Sequence, residues 1–177
     1  YEPGHVRIDS ASGVNGDSRL SIRGDCLPRE DGRWQANVEW QPRTRIIVDS
    51  QLLRALPKSI RDSLVRIDFR GPVSALGRSQ ILFPNQLTDN TSTAWDCQFD
   101  VENGQLGDGK SIGAMRGTVW MKGDSDGTNI HASGSIAMDA LTIQDIPVTR
   151  MRGPFAIVDS TLYFGAKVIE EFGPPSS

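Results

Sequence analysis

Apolar residues recur at every second position through much of this chain. Val6-Arg7-Ile8-Asp9 and Leu20-Ser21-Ile22-Arg23 alternate, and Trp34, Ala36, Val38 and Trp40 share one side of a segment whose other side is Gln35, Asn37 and Glu39. That period marks strands with one face turned to a core. Residues 65–69 and 95–101 repeat it. Gly71-Pro72 reads as a break, Ile81-Leu82-Phe83 as a further short strand, and Asn103-Gly104 as a hairpin turn. Residues 117–121 then pair with 129–134 across a turn at 123–127, and short strands follow at 135–138, 141–143, 155–158 and 161–164. Turns recur about every eight to twelve residues, the spacing of an all-β fold.

One stretch departs from this period. Leu52, Leu53, Leu56, Ile60 and Leu64 recur at helical spacings behind a cap at Asp49 or Ser50, with Pro57 opening a second short turn of helix. The expected fold is therefore mainly β: an antiparallel meander forming a curved or elongated sheet, either a sandwich or an open roll, with one short helical segment near 50–64. Residues 1–177 read as a single module, and any internal boundary falls in the polar stretch 84–93. Four phrases echo one another, Ile22-Arg23-Gly24, Phe69-Arg70-Gly71, Met115-Arg116-Gly117 and Met151-Arg152-Gly153. They mark either stacked strand-turn-strand units or Arg-Gly dipeptides at strand breaks.

Composition narrows the function. The hydrophobic fraction of 37% with 18 Gly and 10 Pro suits many short elements and a modest or one-sided core. A net charge of -3, with Asp and Glu among the Arg residues, lacks the basic stripe of a nucleic-acid binder. No apolar run approaches the roughly 20 residues that span a bilayer. The opening Tyr1 and the closing Gly-Pro-Pro-Ser-Ser read as a segment of a longer polypeptide, with its remainder as one partner. Cys26 and Cys97 are either one disulfide or, the favoured reading, two buried thiols.

Chemical motifs are sparse. Two histidines, His5 and His131, have no nucleophile motif nearby. Gly107-Asp108-Gly109-Lys110-Ser111 lacks the upstream glycine of a phosphate loop and reads as a turn. Residues 123–129 place oxygens at alternate positions, as calcium loops do, but lack the distal Glu. Asp96, Asp100 and Glu102 fall on one outer strand face, where ordinary surface charges belong. No catalytic residue, metal site or cofactor is expected.

The segment 106–123, the run 134–143, the segment 148–155 and the interruption at 56–71 resemble the Gly-punctuated strand pattern of AsmA-like and TamB-like proteins of Gram-negative envelopes. The resemblance implies a long curved sheet with an apolar inner face and a non-enzymatic periplasmic or cell-envelope role. That role is in lipid transport or outer-membrane assembly, with phospholipid or acyl chains as partners. By strand parity the candidate groove liners are Val119, Met121, Ile136, Met138, Leu141, Ile143, Phe155 and Ile157. The rival readings are a carbohydrate-binding or adhesive β-sandwich using Trp34, Trp40, Trp95 or Trp120 as stacking platforms, and a plain structural spacer of a surface protein.

Overall fold

The structure, a computed structural model, describes residues 4–15, 18–42, 46–48, 54, 68–85, 90–107, 112–158 and 161–165. The strands are β1 (Val6–Asn15), β2 (Ser18–Pro28), β3 (Trp34–Pro42), β4 (Ile46–Val48), β5 (Phe69–Phe83), β6 (Ser92–Leu106), β7 (Ile112–Ser125), β8 (Ile130–Ile143), β9 (Ile146–Val148), β10 (Met151–Val158) and β11 (Thr161–Phe164). They form one antiparallel sheet in the order β1-β2-β3-β5-β6-β7-β8-β10-β11, with β4 on β5 and β9 on β8. Strands β3 and β4 lie end to end along β5, since β3 pairs with 77–83 and β4 with 71–73. Strands β9 and β10 share β8 in the same way. The edges β1 and β11 do not join, so the described residues make an open meander and not a sandwich.

Alternation sorts the two faces. Pairing aligns Trp40, Gly77, Cys97, Met121, Gly134 and Phe155 in one cross-strand row, with Ala75, Phe99, Val119 and Ile136 in the next. All belong to a single apolar face. At one end of it Val73, Val101, Met115, Met138 and Leu141 form a buried cluster, packed by Ile46, Phe69, Leu106, Ile112, Val148 and Met151 among others. The opposite face is polar.

Strands are longer than the alternation predicts. Gly71 and Pro72 do not break β5. Pro72 stands opposite Ile47 on the short flanking β4, and a bulge between Arg70 and Val73 absorbs the irregularity. Asn103-Gly104 is not a hairpin turn either. Asn103 takes a left-handed φ of 55° inside β6, and Gly104 packs under Phe69 and Val101 in a bulge. Among the described residues a two-residue hairpin lies at Gln144-Asp145, both left-handed, between Ile143 and Ile146. Of the helical segment expected at 50–64, only Arg54 is among the described residues. The stretch 84–93 joins β5 to β6, which pair with each other from Phe69 opposite Leu106 to Leu82 opposite Ser92.

Two of the echoed phrases lie inside β2 and β7, and the other two open β5 and β10 at Phe69 and Met151. In each, the bulky residue and the glycine face the apolar side while the arginine between them is exposed. The glycine matters because the adjoining chain occupies its side-chain space. A Cβ on Gly24 would overlap the Asn37 carbonyl, and one on Gly117 the Ala137 carbonyl. Gly77, Gly123 and Gly134 meet the carbonyls of Asp96, His131 and Trp120 in the same way. Close backbone approach of this kind tolerates only glycine.

Gly134→Ala should therefore destabilise the protein by about 1–3 kcal/mol, as overpacking does. Gly13, on the edge strand with nothing near its Cβ position, is the control: Gly13→Ala should be neutral or stabilising by about 0.4–1 kcal/mol. Urea denaturation of the two variants distinguishes these outcomes, and equal effects would remove glycine crowding as the explanation.

Candidate functional surfaces

The eight parity-chosen liners all fall on the apolar face. Val119, Met121, Ile136 and Met138 sit on β7 and β8, and Phe155 and Ile157 pair with Gly134 and Ala132. Leu141 joins Met138 in the buried cluster, and Ile143 stands opposite Ile112 and Ile146 at the end of β8. Their accessibility differs. Met138 at 0%, Leu141 and Phe155 are core residues, so they support the face from within and do not line an open groove.

The open part of that face is elsewhere. Trp34 and Phe83 stand directly opposite each other on β3 and β5 and remain 39% and 40% exposed. Val6 and Ile8 on the edge strand extend the same exposed apolar surface beyond Cys26 and Gly24. Parity marked Trp34, Val6 and Ile8 as inward residues in the sequence. Their exposure depends on where the buried cluster sits, at the other end of the strands.

The four tryptophans do not make one platform. Trp40 donates its indole N–H to Ser79 Oγ at 3.2 Å and tilts against Phe99 with ring centroids 6.3 Å apart. Trp95 lies over Gly123. Trp120 is on the polar face, 43% exposed, with Nε1 donating to Gln98 Oε1 at 3.1 Å. Gln98 in turn donates to Asp100, which also accepts from Thr118 Oγ1 at 2.7 Å.

The polar face carries an open trough of about 820 Å3 across β1, β2, β3, β5, β6 and β7. One flank is a row of alternating sign, Arg23 opposite Glu39, Glu39 opposite Arg78, Arg78 opposite Asp96 and Asp96 opposite Lys122. Asp9 extends it in the β1 bulge. Arg23 donates to Glu39, and Arg78 Nη2 lies 2.9 Å from Asp96 Oδ2. The other flank runs Arg7, Asp25, Asn37, Gln80 and Ala94 to Asp124. Asp25 accepts from Asn37 Nδ2 at 2.9 Å. These carboxylates pair with neutral or cationic neighbours, and Asp96, Asp100 and Glu102 occur at alternate positions of β6.

Among the described residues no three His, Cys, Asp or Glu side chains gather to hold a metal. The oxygen-rich turn after β7 uses its own ligands. Asp126 Oδ1 accepts from the backbone N–H groups of Thr128 and Asn129 at 2.8 and 2.7 Å, and Ser125 Oγ donates to the Asn129 carbonyl. The Asn129 and Thr128 amides hold the Asp126 carboxyl below its usual range. His131 Nδ1 lies 4.0 Å from Asp124 Oδ2 across the β7–β8 pair.

Cys26 and Cys97 are separate thiols. Both lie on the apolar face, yet β3 and β5 stand between their strands. The ladder sets Cys26 in line with Thr93, four residues along β6 from Cys97. Three strand spacings of about 4.8 Å and four residues of about 3.4 Å put the thiols roughly 20 Å apart, well beyond the reach of a disulfide. Burial, followed by the neighbouring Asp96 charge, pushes the Cys97 thiol up to about 12. Only about one molecule in ten thousand then carries the reactive thiolate at pH 8. Cys26 should alkylate in the native protein while Cys97 reacts only after unfolding, as peptide mapping would show. Because the folded value is raised, its contribution to stability is complete below about 8.5 and is lost as pH rises toward 12. The stability difference between wild type and Cys97→Ala should shrink over that window, and a difference flat with pH would refute the assignment. Compared with known proteins, the chain matches no family model, no curated protein and no solved structure.

Proposed function

We propose that the chain is a non-catalytic β-module whose open apolar face, where β1, β2, β3 and β5 meet, receives acyl chains of phospholipids or related lipids. The observation that carries this reading is the Trp34–Phe83 pair: two aromatic side chains directly opposed on the core-facing side of the sheet and each about two-fifths exposed. Contiguous exposed apolar surface of this kind marks a binding site. At about 25 cal/mol per Å2, hydrocarbon covering roughly 200 Å2 of it gains about 5 kcal/mol. The buried cluster at the other end keeps the strands rigid, so the open end is held in shape before a ligand arrives. No described helix is long and apolar enough to cross a membrane, so in this reading the module meets lipid through its sheet. The AsmA-like strand pattern supports the same role in the periplasm or cell envelope, as part of a larger polypeptide.

A glycan-binding sheet is the second reading, favoured by Trp120, whose exposed ring is oriented by Gln98 on the polar face. The two readings name different residues. Native mass spectrometry with organic extraction should find phospholipid or fatty acid on the purified protein. Uptake of a fluorescent fatty acid should weaken roughly tenfold in Phe83→Asp, the loss of one buried aromatic contact, and be unchanged in Trp120→Ala. Protein that carries no lipid and takes up none would overturn the lipid reading. Glycan binding abolished by Trp120→Ala would establish the other.

A further inference from the structure

The polar face is complementary to itself. Its six-residue row reads Asp9, Arg23, Glu39, Arg78, Asp96, Lys122, with charges alternating strand by strand across β1, β2, β3, β5, β6 and β7. Such a row of even length changes sign at every position when reversed. A two-fold axis parallel to the strands, passing between β3 and β5, lays the row on its own reversed copy. Asp9 then meets Lys122, Arg23 meets Asp96 and Glu39 meets Arg78, each twice.

The second flank of the trough obeys the same axis independently. Arg7, Asp25, Asn37, Gln80, Ala94 and Asp124 form this row. Reversal sets Arg7 against Asp124 and Asn37 against Gln80, and Asp25 meets the neutral Ala94. No like charges face each other in either row.

We infer that this face is an isologous interface through which two copies of the chain associate, face to face with their strands aligned. Isologous contacts need a patch that is its own complement, and aligned packing is a standard way for two sheets to meet. Within the sheet Asp96, opposite Lys122, is taken by Arg78, and Asp9 pairs with Arg7; in the dimer the partner's Asp9 adds a second carboxylate beside Lys122. The facing troughs leave room for interfacial water, as charged interfaces commonly do. Six strands at about 4.8 Å give a patch roughly 24 Å long. It lies at the small end of specific interfaces, where association is weak and transient. Charge complementarity of this type fixes register and partner choice more than affinity. The inference concerns the face opposite the proposed lipid surface and stands or falls apart from it.

Sedimentation velocity from about 0.01 to 1 mM protein tests it. In 20 mM salt a monomer–dimer equilibrium is expected, weakened at least about tenfold in 500 mM salt as exposed charges are screened. Glu39→Arg and Arg78→Glu should each be monomeric, because each homodimer opposes like charges. An equimolar mixture of these two variants should regain a heterodimer, since Arg then faces Glu at every affected position. Lys122→Glu should weaken the dimer with an unchanged melting temperature, which separates loss of association from loss of folding. A wild type that stays monomeric throughout, or a dimer indifferent to all three substitutions, would overturn the inference.

Discussion

At Gly24, Gly77, Gly117, Gly123 and Gly134 the adjoining strand's carbonyl fills the space of a side chain, and all five positions face the apolar side of the sheet. The sheet's path depends on this crowding. Strands so closely and irregularly paired cannot carry ordinary side chains at every inward position. Each interior glycine costs roughly 0.5–1 kcal/mol of extra backbone entropy. Five together approach about half the net stability of a small domain. The cost is offset where rings lie over the bare backbone, as Trp95 does at Gly123, Phe155 at Gly134 and Phe69 at Gly104.

Bulges distribute the remaining strain. Ladders shift between Ile8 and Ala11, Arg70 and Val73, Glu102 and Leu106, and Gly113 and Gly117. Three of these four lie toward the end of the sheet that holds Val73, Val101, Met115, Met138 and Leu141. A bulge adds a residue to one strand and increases its local twist. Phase is recovered on the apolar side: Leu141, an odd number of residues from Met138, still packs in the same cluster. Arg150, left-handed at φ 71°, donates its N–H to the Asp139 carbonyl and separates β9 from β10 along β8. One end of the apolar face thus holds the buried cluster, and the Trp34–Phe83 end is left open.

The alternation in the sequence was enough for the β class, for the faces of individual strands and for the shared side of all eight groove candidates. It was not enough for strand length. Gly71-Pro72 and Asn103-Gly104 carry the chemistry of turns, and local chemistry does not distinguish a turn from a bulge whose strand is held by neighbours on both sides. Nor did it separate Met138 and Phe155, which are buried, from Trp34 and Phe83, which are open. All four face the same side of the sheet, and alternation carries no information on how exposed each position of that side is. The charged row was hidden for a different reason. Arg23, Glu39, Arg78, Asp96 and Lys122 become neighbours only once the register of five strands is known, and a one-residue slip in any of them would disperse the row.

Both surfaces follow from that register, by opposite physics. On the apolar face, adjacency of large and absent side chains decides where hydrocarbon is covered and where it is not. On the polar face, adjacency of opposite charges lets a densely charged strip remain near neutral. The exposed sheet edges are handled differently again. Strand β11 has only four residues, and β1 carries the Arg7–Asp9 ion pair beside its bulge. Short length, charge and bulging are the devices that keep an edge from pairing indiscriminately. A sheet guarded at its edges leaves its two faces for contact, and the lipid and dimer proposals use opposite faces, so neither would compete with the other.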